Sequence, residues 1–199
     1  MDQIAHHHGN LREALIVAGM DLLTEGGIAG LTLRRAAARA GVSHAAPAHH
    51  FGGLPGLLTA IATRAFQQFC FALLAASATT DPLAHLQGIC QGYLGFAARH
   101  AGLFHLMFVS AEVDRSNPDL RAASARAYQI LHDACQPFAP ASAAAGTLEV
   151  AVWSLVHGYA LLGFNQPIAP SGPIAAVPAF ADLLTRLVAN PLAPAATLR

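Results

Sequence analysis

Residues 31–51 read LTLRRAAARAGVSHAAPAHHF, and this run decides the fold. Thr32 has the side chain of an N-cap, and the Leu33–Ala40 segment behind it is rich in alanine and arginine, both good helix formers. Gly41 can take the positive φ that closes a helix, and Val42 is an apolar residue for the corner. Ser43 is a second cap, so another short helix is expected from His44 to about His50. Pro47 falls in its first turn, where a missing N–H does little harm. Small Ala36, Ala37 and Ala40 let the two helices approach closely. Two short helices joined by a glycine-containing turn make a helix-turn-helix.

Outward from that run the periodicity is helical throughout. Asn10–Glu25 (NLREALIVAGMDLLTE) places Leu11, Leu15, Ala18 and Leu22 on one stripe, widened by Ile16 and Leu23. Asn10 with Glu13 three residues on has the form of a capping box, and Gly26-Gly27 is expected to end this helix in left-handed geometry. On the other side a long helix is expected from Leu54 or Pro55 to about Ser77. Others are expected from Pro82 to His100, from Asn117-Pro118 to about Pro137, over Thr147–Asn165 and around Ala179–Ala189. Leu103–Val109 is a short apolar segment opened by Gly102. With few alternating β-branched runs, the fold class expected is all-α.

Composition sets limits on function. Of 199 residues, 54% are hydrophobic and only 11% charged, well below the roughly 25% of an average soluble chain. Surplus apolar surface of this kind goes into a subunit interface or a pocket. The net charge is zero and all 11 basic residues are arginine, so charge alone does not point to nucleic acid. No apolar run of about 20 residues is free of Arg, His, Asp or Pro, and no secretory leader is evident; a cytoplasmic protein without a membrane span is expected. Cys70, Cys90 and Cys135 are scattered and odd in number, as small buried hydrophobes in a reducing compartment would be.

The run Leu31–Phe51 resembles the DNA-binding segment of TetR-family regulators, and the preceding HHHGNLREAL resembles the start of many members. VWSLVHGYALL, Val152 to Leu162, is similar to the Trp-x-x-x-His-Gly signature of one C-terminal domain type in that family. The resemblance implies a three-helix DNA-binding domain at 9–53, with its helix-turn-helix at 32–51. An effector-binding and dimerisation domain follows at 54–190, then a tail at 191–199. It implies a homodimer spanning a palindromic double-stranded DNA operator, with the third helix in the major groove and dimer contacts through Thr147–Gln166 and the last helix. Repression relieved by a small apolar or aromatic effector is the expected regulation; the alternative is the same fold with weakened DNA affinity, serving as a ligand-binding or interaction module.

The residues expected at DNA are Thr32, Arg34, Arg35, Ser43, His44, Ala45, Ala46, His49 and His50. Thr32 and the arginines suit phosphate; His44 and His49 suit base edges or phosphates, and alanine suits a thymine methyl. Two departures from the family pattern stand out. Many members carry Tyr at the position of Ala48 and Lys at that of Leu54, both phosphate contacts, so weaker binding with a flatter salt dependence is expected.

The residues expected at an effector are Phe66, Tyr93, Phe96, Phe104, Met107, Phe108, Tyr128, Trp153 and His157. Each taken singly reads as ordinary core; together they suit a mostly apolar pocket with a few polar groups. Trp153 and His157 are four apart and share a helical face, where they either line a cavity or tie the helix to its neighbours. No metal site, cofactor or catalytic residue is expected. His6-His7-His8 reads as an exposed run, and adjacent His49 and His50 point about 100° apart. No partnered nucleophile or phosphate loop appears, so the chain does not read as an enzyme.

Overall fold

The computed structural model describes residues 3–77, 79–139, 146–163 and 177–189, with side chains from residue 11 onward. Among them there are only helices and turns: α1 (Gln3–Gly26), α2 (Leu33–Arg39), α3 (Ala46–Phe51), α4 (Leu54–Ala75), α5 (Pro82–Arg99), α6 (Ala101–Phe108), α7 (Pro118–Cys135), α8 (Thr147–Leu161) and α9 (Phe180–Ala189). The all-α expectation is met. The chain forms two compact units, one of residues 1–68 with 100–125, the other of 69–99 with 126–199; the division falls within α4 and α7.

In the first unit, α1 packs on α2, α3 and α6. Its buried stripe is the one the periodicity marks, with Leu15, Ile16, Leu22 and Leu23 all at most 2% exposed. Leu57, Leu58 and Ile61 of α4 and Leu103, Leu106 and Met107 of α6 are buried in the same unit. Gly102 lets α6 approach the end of α1, since a Cβ there would lie 2.3 Å from the Leu23 carbonyl. The apolar run after Gly102 is thus a helix.

The start of α1 differs from the capping-box expectation. The helix runs back to Gln3 because nothing in QIAHHHG forbids it; there is no proline and only one glycine. Glu13 therefore lies mid-helix, where it pairs with Arg64 of α4 through two bonds of 2.5 and 2.7 Å. At the other end, Gly27 has φ 60 but an extended ψ of −165, so it opens a 3-10 turn (Ile28–Gly30) and is not left-handed helical.

The second unit rests on close contact between α4 and α5. Added Cβ atoms on Gly88 and Gly92 would both come within 2.2 Å of carbonyl oxygens, those of Ala76 and Ala72. Backbone thus lies against backbone, as a pair of glycines four apart on one face permits. Pro82 starts α5 as expected, and the Asp81 carboxylate accepts the Ala84 N–H at 2.7 Å. Asn117 caps α7 in the same way, accepting from Asp119 and Leu120. Phe96, Leu73, Leu86, Ile89, Val152, Val156 and Leu184 fill the core of this unit. Of the expected Thr147–Asn165 helix, α8 covers Thr147–Leu161, and residues 164–166 lie outside the described part. Helix α4 is long and apolar enough to cross a membrane, yet over half of its apolar window (56%) is buried within the protein.

Candidate nucleic-acid interface and effector core

The helix-turn-helix is built as its residues require. The Thr32 hydroxyl accepts the Arg35 N–H at 3.2 Å and caps α2. At the far end Gly41 takes φ 67, the Val42 N–H reaches the Ala37 carbonyl at 3.0 Å and the Gly41 N–H reaches that of Ala38 at 3.2 Å. These two bonds form a Schellman closure, open to glycine because it carries no Cβ. Ala36 and Ala37 are fully buried beneath.

Helix α3 begins later than Ser43 as a cap implies. Pro47 has no N–H to offer the Ser43 carbonyl, which instead accepts from Ala46 at 3.1 Å in a turn over Ser43–Ala46. Ala45 is the capping position, without a side-chain bond, and Pro47 is buried in the first turn. Ser43, His44 and Ala45 are exposed in that turn; His49 is exposed on α3, while Ala46 and His50 are half-buried. Gly52, at φ 68, ends α3 in left-handed geometry.

The arginines of α2 divide. Arg35 turns back to donate to the Gly30 carbonyl. Arg39 forms a two-bond pair with Glu25 of α1 at 2.8 and 2.6 Å, which holds that carboxyl below its ordinary pKa. Arg34 is exposed, and no described residue pairs with it. Ala48 is exposed and Leu54 half-buried. Sequence reasoning missed the Arg39–Glu25 pair, although an acid in the last turn of α1 was available as its signal. His49 and His50 stand edge to face with ring centroids 5.4 Å apart, and no group of three His, Cys, Asp or Glu suited to a metal occurs among the described residues.

The nine residues expected at an effector fall into two clusters. In the first unit Phe108 packs against Phe66 at 5.5 Å and Phe104 at 4.9 Å, with Met107 fully buried beside them. In the second unit Phe69 bridges Tyr93 at 4.9 Å and Phe96 at 5.2 Å, and Tyr128 lies 5.9 Å from Trp153. Trp153 and His157 do share a face of α8, and both meet Tyr93 of α5. An indole can only donate, so the Trp153 N–H is given to the Tyr93 oxygen. The Tyr93 hydroxyl also shares a hydrogen bond with Nδ1 of His157 at 2.6 Å. Burial lowers the pKa of His157 and so favours its neutral form. Burial also pushes up Tyr93, keeping the phenol protonated.

Other buried polar groups in this unit have partners or are inert. Glu149, 3% exposed, accepts from His132 at 2.8 Å and from Gln136 at 3.3 Å. Cys90 and Cys135 are buried and Cys70 half-buried, all as free thiols. Burial, with Glu149 nearby, pushes Cys135 up to about 12, so it is not a nucleophile.

Comparison with known proteins agrees with this geometry in both halves. A family profile described as bacterial regulatory proteins, tetR family, matches residues 15–61. A second, described as a tetracyclin repressor-like C-terminal domain, matches residues 86–188. No curated protein sequence matches the chain. Among solved structures, a Rhodococcus sp. RHA1 protein of unknown function is 26% identical at TM-score 0.69, covering 90% of this chain and 92% of its own. The multidrug binding protein EbrR in complex with ethidium is 21% identical at TM-score 0.64, covering 89% and 97%. The TetR family regulator PfmR from Thermus thermophilus is 18% identical at TM-score 0.58, covering 88% and 95%. With one profile over more than half of its length and another over its helix-turn-helix, the chain belongs to the tetR family of bacterial regulatory proteins.

Proposed function

We propose that this regulator is a cytoplasmic repressor that binds a palindromic operator as a homodimer and is released by a small apolar or aromatic effector. The observation that carries the DNA reading is the exposure of Ser43, His44, Ala45 and His49 at and beyond the turn of a closed helix-turn-helix. Those four side chains are the base-reading set, and Arg34 with Thr32 positions the helix on phosphate. Footprinting of the purified protein on promoter-proximal DNA tests this, with a protected two-fold site expected; no protection on any such fragment refutes it.

A second reading, the same fold with weakened DNA affinity, is favoured by the arginines. Arg35 and Arg39 are engaged within the protein and the chain has no lysine, so Arg34 is left to meet phosphate from α2. Affinity should therefore depend weakly on salt. Isotherms at two salt concentrations distinguish the readings, and installing Ala48→Tyr with Leu54→Lys should steepen the slope.

The boundary between the DNA-binding and effector domains is placed near Gly53, and the C-terminal half is assigned to the Trp-x-x-x-His-Gly type. The Trp153–Tyr93–His157 chain supports that assignment, since the Trp and the His of the motif both bond to Tyr93. Dimerisation is assigned to α8 and α9. An apolar groove of about 250 Å³ between them is lined by Leu155, Gly158, Tyr159, Leu162 and Leu183, and Val150, Leu161 and Leu162 are more than half exposed. The effector is assigned to the aromatic residues of the C-terminal domain, and the ethidium complex of the similarly folded EbrR suggests the probe. Ethidium should bind and lower operator affinity. Light scattering should give a dimer.

A further inference from the structure

A groove of about 690 Å³ opens in the first unit, away from the aromatic clusters and lined from α1, α3, α4 and the start of α7. That volume falls within the roughly 300–1,000 Å³ of small-molecule sites. Four ionic side chains line it: Arg12, Arg64, Asp114 and Asp119. Two of them are already engaged. Arg64 is held by both oxygens of Glu13, and the Asp114 carboxylate accepts the Ser116 N–H and O–H at 2.9 and 2.6 Å. The other two have no ion-pair partner among the described residues, and they carry opposite charges.

Arg12 is fixed without being neutralised. Its guanidinium lies over the Phe51 ring, 5.2 Å from the centroid, where the ring face attracts a cation and leaves the N–H fork open. Asp119 sits in the first turn of α7, where the positive end of the helix attracts a negative charge. The groove separates these two charges, so they form no salt bridge with one another. Phe51, Ala60 and Ala122 also line the groove, together with the polar Thr59, Thr63 and Gln67.

From this arrangement we propose that the groove binds a small zwitterion with an apolar body, of the kind a short peptide represents. The anionic end is taken by Arg12 and the cationic end by Asp119. Charged ends at Arg12 and Asp119 supply orientation, and the apolar body of the ligand supplies burial. The groove shares His50 with the residues expected at DNA and none with the aromatic effector clusters.

The test is calorimetry on the full chain without DNA, so its outcome is independent of the operator reading. The probe is the dipeptide Ala-Phe in four forms: free, N-acetylated, C-amidated and blocked at both ends. The free zwitterion should bind best, and each blocked end should weaken binding about tenfold, the factor for one charge-assisted contact of ordinary strength. In Arg12→Gln the amidation penalty should vanish while the acetylation penalty remains, and Asp119→Asn should do the reverse. Both positions are exposed, so circular dichroism should show unchanged folding. Equal binding of all four forms, no binding of the free dipeptide at millimolar concentration, or an amidation penalty that survives Arg12→Gln would each overturn the proposal.

Discussion

Adding one methyl group to Gly92 should do more harm than its size suggests. A Cβ at that position would lie 2.2 Å from the Ala72 carbonyl oxygen and 2.9 Å from the Leu73 Cα, both backbone atoms of α4. Ordinary contact begins at 3.4 Å, so the two helices must part by about 1.2 Å (3.4 minus 2.2). Overpacking a core costs about 1–3 kcal/mol, and with backbone on both sides the upper end applies. Alanine returns about 1 kcal/mol through its better helix propensity. The net loss is then about 2 kcal/mol, or a fall of about 4–8 °C in Tm for a chain of this size. Gly95, three residues on in the same helix, provides the control. Its Cβ would meet only the flexible end of Arg99 at 3.0 Å, so Gly95→Ala keeps the propensity gain and should raise Tm by about 2–4 °C. Thermal unfolding followed by circular dichroism at one fixed protein concentration measures both. A Gly92→Ala variant that melts at or above the parent refutes the close-contact reasoning.

Three further outcomes follow from the same geometry. Tyr93→Phe takes a hydroxyl away from a residue that is 6% exposed and removes its bonds to Trp153 and His157; it should cost about 2 kcal/mol in urea unfolding, and a loss under half that value contradicts the chain of bonds. His157, whose pKa burial lowers, binds its proton less readily folded than unfolded. Its contribution to stability is complete above the unfolded value near 6.5 and is lost as pH falls from there through the folded value. The urea midpoint of the parent should thus drop on acidification more than that of His157→Gln, and parallel profiles contradict this. Thr32→Ala removes an exposed cap at 3.2 Å and should cost about 1 kcal/mol, seen as faster hydrogen exchange at the start of α2.

What the sequence discloses and what it hides have separate physical causes. Local signals sufficed for the helix-turn-helix: Thr32 caps, Gly41 closes and Ala36–Ala37 pack, each acting within a few residues. The pairing of Trp153 and His157 on one face was equally legible, because helical spacing alone requires it. The tertiary partners were not. Nothing local to Arg35 says that its guanidinium finds the Gly30 carbonyl, and Glu13 resembles a cap residue until Arg64 arrives 51 positions later. The start of α3 moved because one missing N–H at Pro47 outweighed the capping preference of Ser43. Gly88 and Gly92 gave a four-residue spacing, but only the course of α4 shows what that spacing accommodates. The groove beside Arg12 is beyond sequence reasoning, since its charges come from helices far apart in the chain.

The Trp153–Tyr93–His157 chain also makes the molecule its own optical probe. Trp153 is the one tryptophan, and all three tyrosines (Tyr93, Tyr128 and Tyr159) lie with it in the second unit. The first unit carries phenylalanine alone, so near-ultraviolet emission from this protein originates in the second unit. A ligand that alters that emission has reached the neighbourhood of the indole, directly or by moving α5 against α8. A ligand that binds by calorimetry while leaving the emission unchanged has left that cluster undisturbed. Without a label or a substitution, fluorescence can therefore tell a perturbed second unit from a silent one.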